Sequence, residues 1–146
     1  MKSKLSTLWI FATLNYLYCD VVTLMDPHML RQFLAGNVGG VDVSQGFLLA
    51  SGMLVEIPMA MVLVSRIAGY RTNRWANVVA GATMTIVQLI TLFVKAPALY
   101  YAFFSLIEIA ATAAIVWLAW RWSALAESRD EEIAHPKSEV ALGLGI

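Results

Sequence analysis

Four long apolar stretches, separated by short polar segments, organise this chain: about Leu5–Met25, Gly46–Val64, Trp75–Val94 and Ala98–Trp120. Each reaches or approaches the roughly 20 residues that a helix needs to cross a bilayer. None shows the two-residue alternation of a strand, and open sheet edges cannot face lipid, so helices are the expected form. The pattern predicts an all-α fold, an integral membrane four-helix bundle over residues 1–122. Beyond Trp122 the character changes: Glu127, Asp130, Glu131 and Glu132 crowd together and Pro136 follows, which reads as a helix extension and a flexible cytoplasmic tail over residues 123–146.

The connections differ in kind. Arg66–Arg74 reads as a short basic turn and Lys95-Ala96-Pro97 as a tight outer hairpin, so the third and fourth spans are expected to pack antiparallel. The first outer connection, Asp26–Gln45, exceeds a minimal loop. Asp26 before Pro27 has the form of an N-cap with proline in the first turn, and Gly36 of a stop. A short interfacial helix over Pro27–Ala35 is therefore expected, with Gly39-Gly40 as a hinge and Ser44 capping the second span. The segment is either a surface connector or a lid.

Composition agrees with a membrane protein: 60% of the residues are hydrophobic and only 14% are charged. The net charge of zero gives no field for nucleic acid, and no nucleic-acid partner is expected. Eight of the ten lysines and arginines (Lys2, Lys4, Arg66, Arg71, Arg74, Arg121, Arg129 and Lys137) fall on one side of the predicted topology, and Arg31 and Lys95 on the other. That bias places both termini in the cytoplasm of a multi-pass protein of the cell's inner (plasma) membrane. Trp9, Trp75, Trp117, Trp120 and Trp122 all lie near the cytoplasmic ends, where interfacial anchors are expected. Lys2 and Lys4 before an apolar run resemble a signal peptide, but the run contains Asn15 and Asp20 and lacks a small-x-small cleavage site, so it reads as a retained span.

Within the apolar stretches the polar residues recur at helical spacing. Tyr101, Ser105, Glu108 and Thr112 form one stripe of the fourth span, and Gly81, Thr85 and Gln88 one of the third. The first span offers Thr13, Tyr16, Asp20 and Thr23, and the second Gly52 and Glu56, continued by Met59 and Ala60. The expectation is a bundle with a polar interior. Glu56, Gln88, Glu108 and Asn15 come out near one depth, with Asp20 nearer the outer mouth and Tyr101 able to orient a ligand. Pro58 would loosen the second span beside Glu56.

A carboxylate in hydrocarbon costs roughly 2.5–3.5 kcal/mol on insertion scales, so such residues are functional by default. No lysine or arginine lies inside a span to pair with them. Two carboxyls sharing a dry site do not both ionise readily, and one of Glu56 and Glu108 is expected to be protonated at neutral pH. The plain alternative is that these groups only bond helices together, a contribution of about 0.6–2 kcal/mol each. His28 and His135 fall on opposite sides, and the single cysteine, Cys19, reads as a small packing residue; no metal site and no cofactor are expected.

The strings Thr7-Leu8-Trp9-Ile10-Phe11, Gly46-Phe47-Leu48-Leu49, Glu56-Ile57-Pro58-Met59-Ala60-Met61 and Tyr70-Arg71-Thr72-Asn73-Arg74-Trp75-Ala76-Asn77 resemble an uncharacterised bacterial family of small four-span membrane proteins, a domain of unknown function. The resemblance covers about Leu5 to Trp122 and implies class and topology without an activity. A looser similarity, of architecture alone, is to sterol-isomerase-like four-span proteins that hold acids in a membrane cavity. The residues themselves favour binding or proton-coupled transport of a small lipophilic or cationic molecule, by a homodimer in the lipid bilayer. An embedded acid–base enzyme, an isomerase or cyclase on a lipophilic substrate, is one alternative. An accessory subunit docked to a larger complex is another.

Overall fold

The computed structural model describes residues 1–94 and 98–122. Its elements are α1 (Lys2–Met25), α2 (Pro27–Leu34), a small hairpin of β1 (Asn37–Val38) and β2 (Val41–Asp42), α3 (Gln45–Ile67), α4 (Tyr70–Val94) and α5 (Leu99–Arg121). The four long helices are each apolar and long enough to cross a membrane, and the chain is a multi-pass, all-α membrane protein. The Lys95-Ala96-Pro97 hairpin and the tail over 123–146 lie outside the described residues.

Hydropathy underestimates three of the helices, α1 among them, which begins at Lys2. α3 continues to Ile67 and α4 begins at Tyr70, so Arg66, Arg71 and Arg74 are helical and only Ala68-Gly69 turns the chain. Arginine is a good helix former whose head reaches water while its stem stays apolar, so a helix outlasts its apolar window.

α4 and α5 pack most extensively, α1 packs on α3 and on α5, and α3 meets α4 over a smaller area, leaving α3 and α5 across the diagonal. The α4–α5 seam is close because of Gly81. A Cβ there would stand 2.7 Å from Val116 Cγ2 and 3.3 Å from the Thr112 carbonyl oxygen. The apolar core of Leu5, Trp9, Met61, Met84, Ile115, Ala119 and Trp122 gathers toward the end that holds the start of α1, the α3–α4 turn and the end of α5. This is also the end that carries Lys2, Lys4, Arg66, Arg71, Arg74 and Arg121, and we call it the basic end.

At the opposite end the connector is built as its sequence predicts. The Asp26 carboxylate accepts from the His28 N–H at 2.9 Å to cap α2, and the Ser44 hydroxyl accepts from the Phe47 N–H at 3.2 Å to cap α3. The predicted hinge is in fact a hairpin. Val38 pairs with Val41, and Gly39 and Gly40 both take positive φ (62° and 89°), as a two-residue turn of this hand requires.

The tryptophans divide, which corrects the uniform expectation. Trp75, Trp117 and Trp120 are exposed, whereas Trp9 and Trp122 are 0% and 2% exposed and belong to the core. Trp9 is held by a hydrogen bond to Asn77, and Trp122 by an edge-on contact with Tyr70 at 5.3 Å. Cys19 is buried, in keeping with a packing role.

Candidate functional site

The candidate site is built around one carboxyl. Along α5, Ser105, Glu108 and Thr112 recur at three- and four-residue steps and are all buried, Glu108 to 1% exposure. Asn15 of α1 donates from Nδ2 to Glu108 Oε1 at 3.1 Å and to the Phe104 carbonyl at 3.2 Å. One amide thus ties the carboxyl and the backbone of α5 to α1. Among the described residues no other side chain hydrogen-bonds this carboxyl. An ionised carboxylate has about four acceptor positions and a protonated one adds a donor, so most of its capacity is unused.

The neighbouring polar groups come from α4 and α1. Gln88 donates to the Ser105 hydroxyl at 2.7 Å. The Thr85 hydroxyl donates to Thr112 Oγ1 at 2.8 Å, and Thr112 donates to the Glu108 carbonyl at 2.9 Å. These bonds line one wall with groups already paired. Tyr16 is different: among the described residues its hydroxyl oxygen, like Trp122 Nε1 at the basic end, is buried without a hydrogen-bond partner. A buried, unpaired hydroxyl is uncommon enough to need a reason. It lies in electrostatic range of Glu108 and of half-buried Tyr101. Asp20, exposed on α1, lies in electrostatic range of Glu108 as well.

The structure therefore joins Asn15 directly to Glu108 and sets Gln88 on the adjoining Ser105, while Tyr101 lies in electrostatic range of Tyr16 and Asp20 of Glu108. It leaves out Glu56. That residue is exposed on α3, while the inward face of the helix carries Pro58, Met61 and Ser65. Two positions along a helix turn through about 200°, so burying Pro58 points Glu56 away from the bundle. Gly52, Met59 and Ala60 are exposed with it, so the stripe expected inside is the outer face of α3. The expected pairing of Glu56 with Glu108 is not formed, and an acid–base mechanism needing both loses its second carboxyl.

A second buried polar cluster lies toward the basic end. Asn77 accepts from Trp9 Nε1 at 2.7 Å and from the Ser65 hydroxyl at 3.2 Å, and donates to the Asn73 side-chain oxygen at 2.7 Å. Asn73 in turn donates to the Ser65 carbonyl at 2.7 Å. Ser6 donates to the Val62 carbonyl at 3.1 Å and accepts from Arg66 Nε at 3.0 Å. Trp9, Ser65, Asn73 and Asn77 are fully buried, and the network joins α1, α3 and α4. All its main groups are paired, so it acts as a clasp rather than as a site. The sequence signal was present in the four-residue spacing of Asn73 and Asn77, which falls just before the apolar part of α4.

Among the described residues no group of three or more histidines, cysteines or acids is placed to hold a metal ion. A family model described as a family of unknown function (DUF6326) matches residues 1–128, and the chain belongs to that family. No curated protein and no solved structure matches the chain.

Proposed function

We propose that this family member binds a small lipophilic or cationic molecule at Glu108 and gives up a proton in exchange. The observation that carries this reading is the buried Glu108 carboxyl, held among the described residues by Asn15 alone, beside a Tyr16 hydroxyl with no partner among them. Intramembrane acids are costly and mark ion, proton or substrate sites. A carboxyl used only to join helices would have its hydrogen-bonding capacity filled by neighbours, as Gln88, Ser105, Thr85 and Thr112 do for one another. In this reading Tyr101 orients the ligand and Asp20 attracts its charge, supported by their electrostatic reach to Tyr16 and to Glu108.

The assembly we propose is a homodimer with both termini on the cytoplasmic side of the plasma membrane, the orientation favoured by the basic end. Glu56 supports the dimer. It stands midway along α3 on an outward face, with Gly52 and Ala60 one turn to either side. α3 is also the least covered of the four long helices. A two-fold axis at this position would bring the two copies of Glu56 and their flanking small residues together.

The test is mass spectrometry of small molecules retained by gently purified protein, wild type against Glu108→Gln. A compound present in the first and lost in the second, with folding unchanged, is the expected result. The same bulk lipid in both would assign Glu108 to helix bonding.

A further inference from the structure

A second surface feature lies on the outer α4–α5 face of the bundle and includes Thr85, whose hydroxyl bonds Thr112. Ala82 and Ile86 of α4 and Ala113, Val116, Trp117 and Trp120 of α5 line an apolar groove of about 450 Å³. Its origin is local. Gly81 draws the two helices together, the alanines leave a low floor, and the two exposed indoles stand up as walls. The volume falls in the range of roughly 300–1,000 Å³ typical of small-molecule pockets. On a membrane-spanning bundle such an outer groove faces acyl chains.

The end of the groove says which lipid fits. The Arg121 guanidinium lies 5.1 Å from the centre of the Trp117 ring, and that of Arg74 lies 5.9 Å from the centre of Trp120. Arg74 also donates from Nη2 to the Trp120 carbonyl at 3.0 Å, which fixes it at this position. Each indole wall therefore carries a cation at the basic end, and exposed Arg71 adds a third charge in the first turn of α4. The acids of the described residues, Asp20, Asp26, Asp42, Glu56 and Glu108, lie outside this end, and the sequence adds Glu127, Asp130, Glu131 and Glu132 shortly beyond Trp122. Interfacial indoles with arginines beside them match the level of phospholipid headgroups.

We infer that the α4–α5 groove is a binding site for one anionic phospholipid of the leaflet at the basic end, its acyl chain along Ala82, Ala113 and Val116 and its phosphate between Arg74 and Arg121. The occupant is set by complementarity: an apolar channel takes the chain, and the two guanidiniums beside the indoles, that of Arg74 also donating to the Trp120 carbonyl and the Tyr70 hydroxyl, take the headgroup. A zwitterionic lipid fills the groove equally well but brings its own cation to the arginines.

Native mass spectrometry of the full chain, released from bilayer discs of equimolar phosphatidylglycerol and phosphatidylcholine, tests this. Wild type is expected to retain one phosphatidylglycerol over phosphatidylcholine, with a preference of roughly fivefold or more from the arginine charges. Among the described residues Arg121 meets only the exposed Trp117 ring, so Arg121→Gln should reduce the preference without loss of fold. Arg74→Gln with Arg121→Gln should abolish it. Ala113→Phe, a change at an exposed position of the groove, should lower retention of both lipids while thermal unfolding is maintained. Equal retention of the two lipids by wild type, or a preference untouched by both arginine changes, overturns the assignment. So does an Ala113→Phe chain that keeps its lipid but changes from dimer to monomer, since the groove would then hold a second copy.

Discussion

At Glu108, the balance between a structural and a binding role rests on two side chains, Asn15 and Tyr16. Asn15 supplies the carboxyl's hydrogen bond, so Asn15→Leu is expected to destabilise the bundle by about 1–3 kcal/mol, the cost of leaving a buried polar group without its partner. Denaturant unfolding in detergent measures it, and an unchanged midpoint would mean that the carboxyl has other support. Tyr16→Phe removes a hydroxyl that bonds none of the described residues, so its effect on unfolding should stay within about 0.5 kcal/mol. The same change should weaken retention of any ligand that uses that hydroxyl. Stability and retention moving together in Tyr16→Phe would point to a packing role instead. From the sequence, Glu108, Gln88 and Asn15 could be placed together because helical spacing and depth agreed. Tyr16 belonged to a recognised stripe, but its lack of a partner is a property of the packed bundle that no spacing reveals.

Between elements, two contacts decide the packing. Gly81→Ala puts a methyl group 2.7 Å from Val116 Cγ2, and overpacking of this kind costs roughly 1–3 kcal/mol. Adding Val116→Ala removes the nearer obstacle and should restore part of the lost thermal stability; no recovery would locate the strain at the Thr112 carbonyl. Asn77→Leu strands Trp9 Nε1 and the Ser65 hydroxyl, and we expect a loss of about 2–4 kcal/mol from the buried groups left unpaired. Unfolding that is insensitive to this change would contradict the clasp. The inward faces of α4 and α5 were legible because Gly81, Thr85, Gln88 and Ser105, Glu108, Thr112 recur at three and four. The face of α3 was not. A glutamate in an apolar helix reads as inward, yet the packing of Pro58, Met61 and Ser65 turns Glu56 outward. Asn73 and Asn77 went unread as a clasp because their partners, Trp9 and Ser65, come from distant helices. Trp9 and Trp122 show the same limit: composition marks tryptophan as interfacial, and only tertiary contact makes these two core residues.

For the whole molecule, the number of spans and the antiparallel α4–α5 pair were legible from hydropathy alone, because bilayer thickness leaves few alternatives. The assembly was not legible, since it depends on which faces the bundle leaves uncovered. If α3 forms the dimer seam, Gly52→Cys should cross-link in membranes under mild oxidation, as an added Cβ there meets nothing within 4 Å among the described residues. Glu56→Leu in that background should diminish the cross-link, and a complete absence of dimer would leave Glu56 to another partner. The central claim is exchange of a proton for a ligand at Glu108. Its most direct test is to add tetraphenylphosphonium, a lipophilic cation, to the protein in weakly buffered detergent and record binding and released protons together. The account predicts saturable binding with about one proton released per cation, affinity that rises with pH, and loss of both signals in Glu108→Gln. Binding without proton release, or release that persists in the variant, would contradict it.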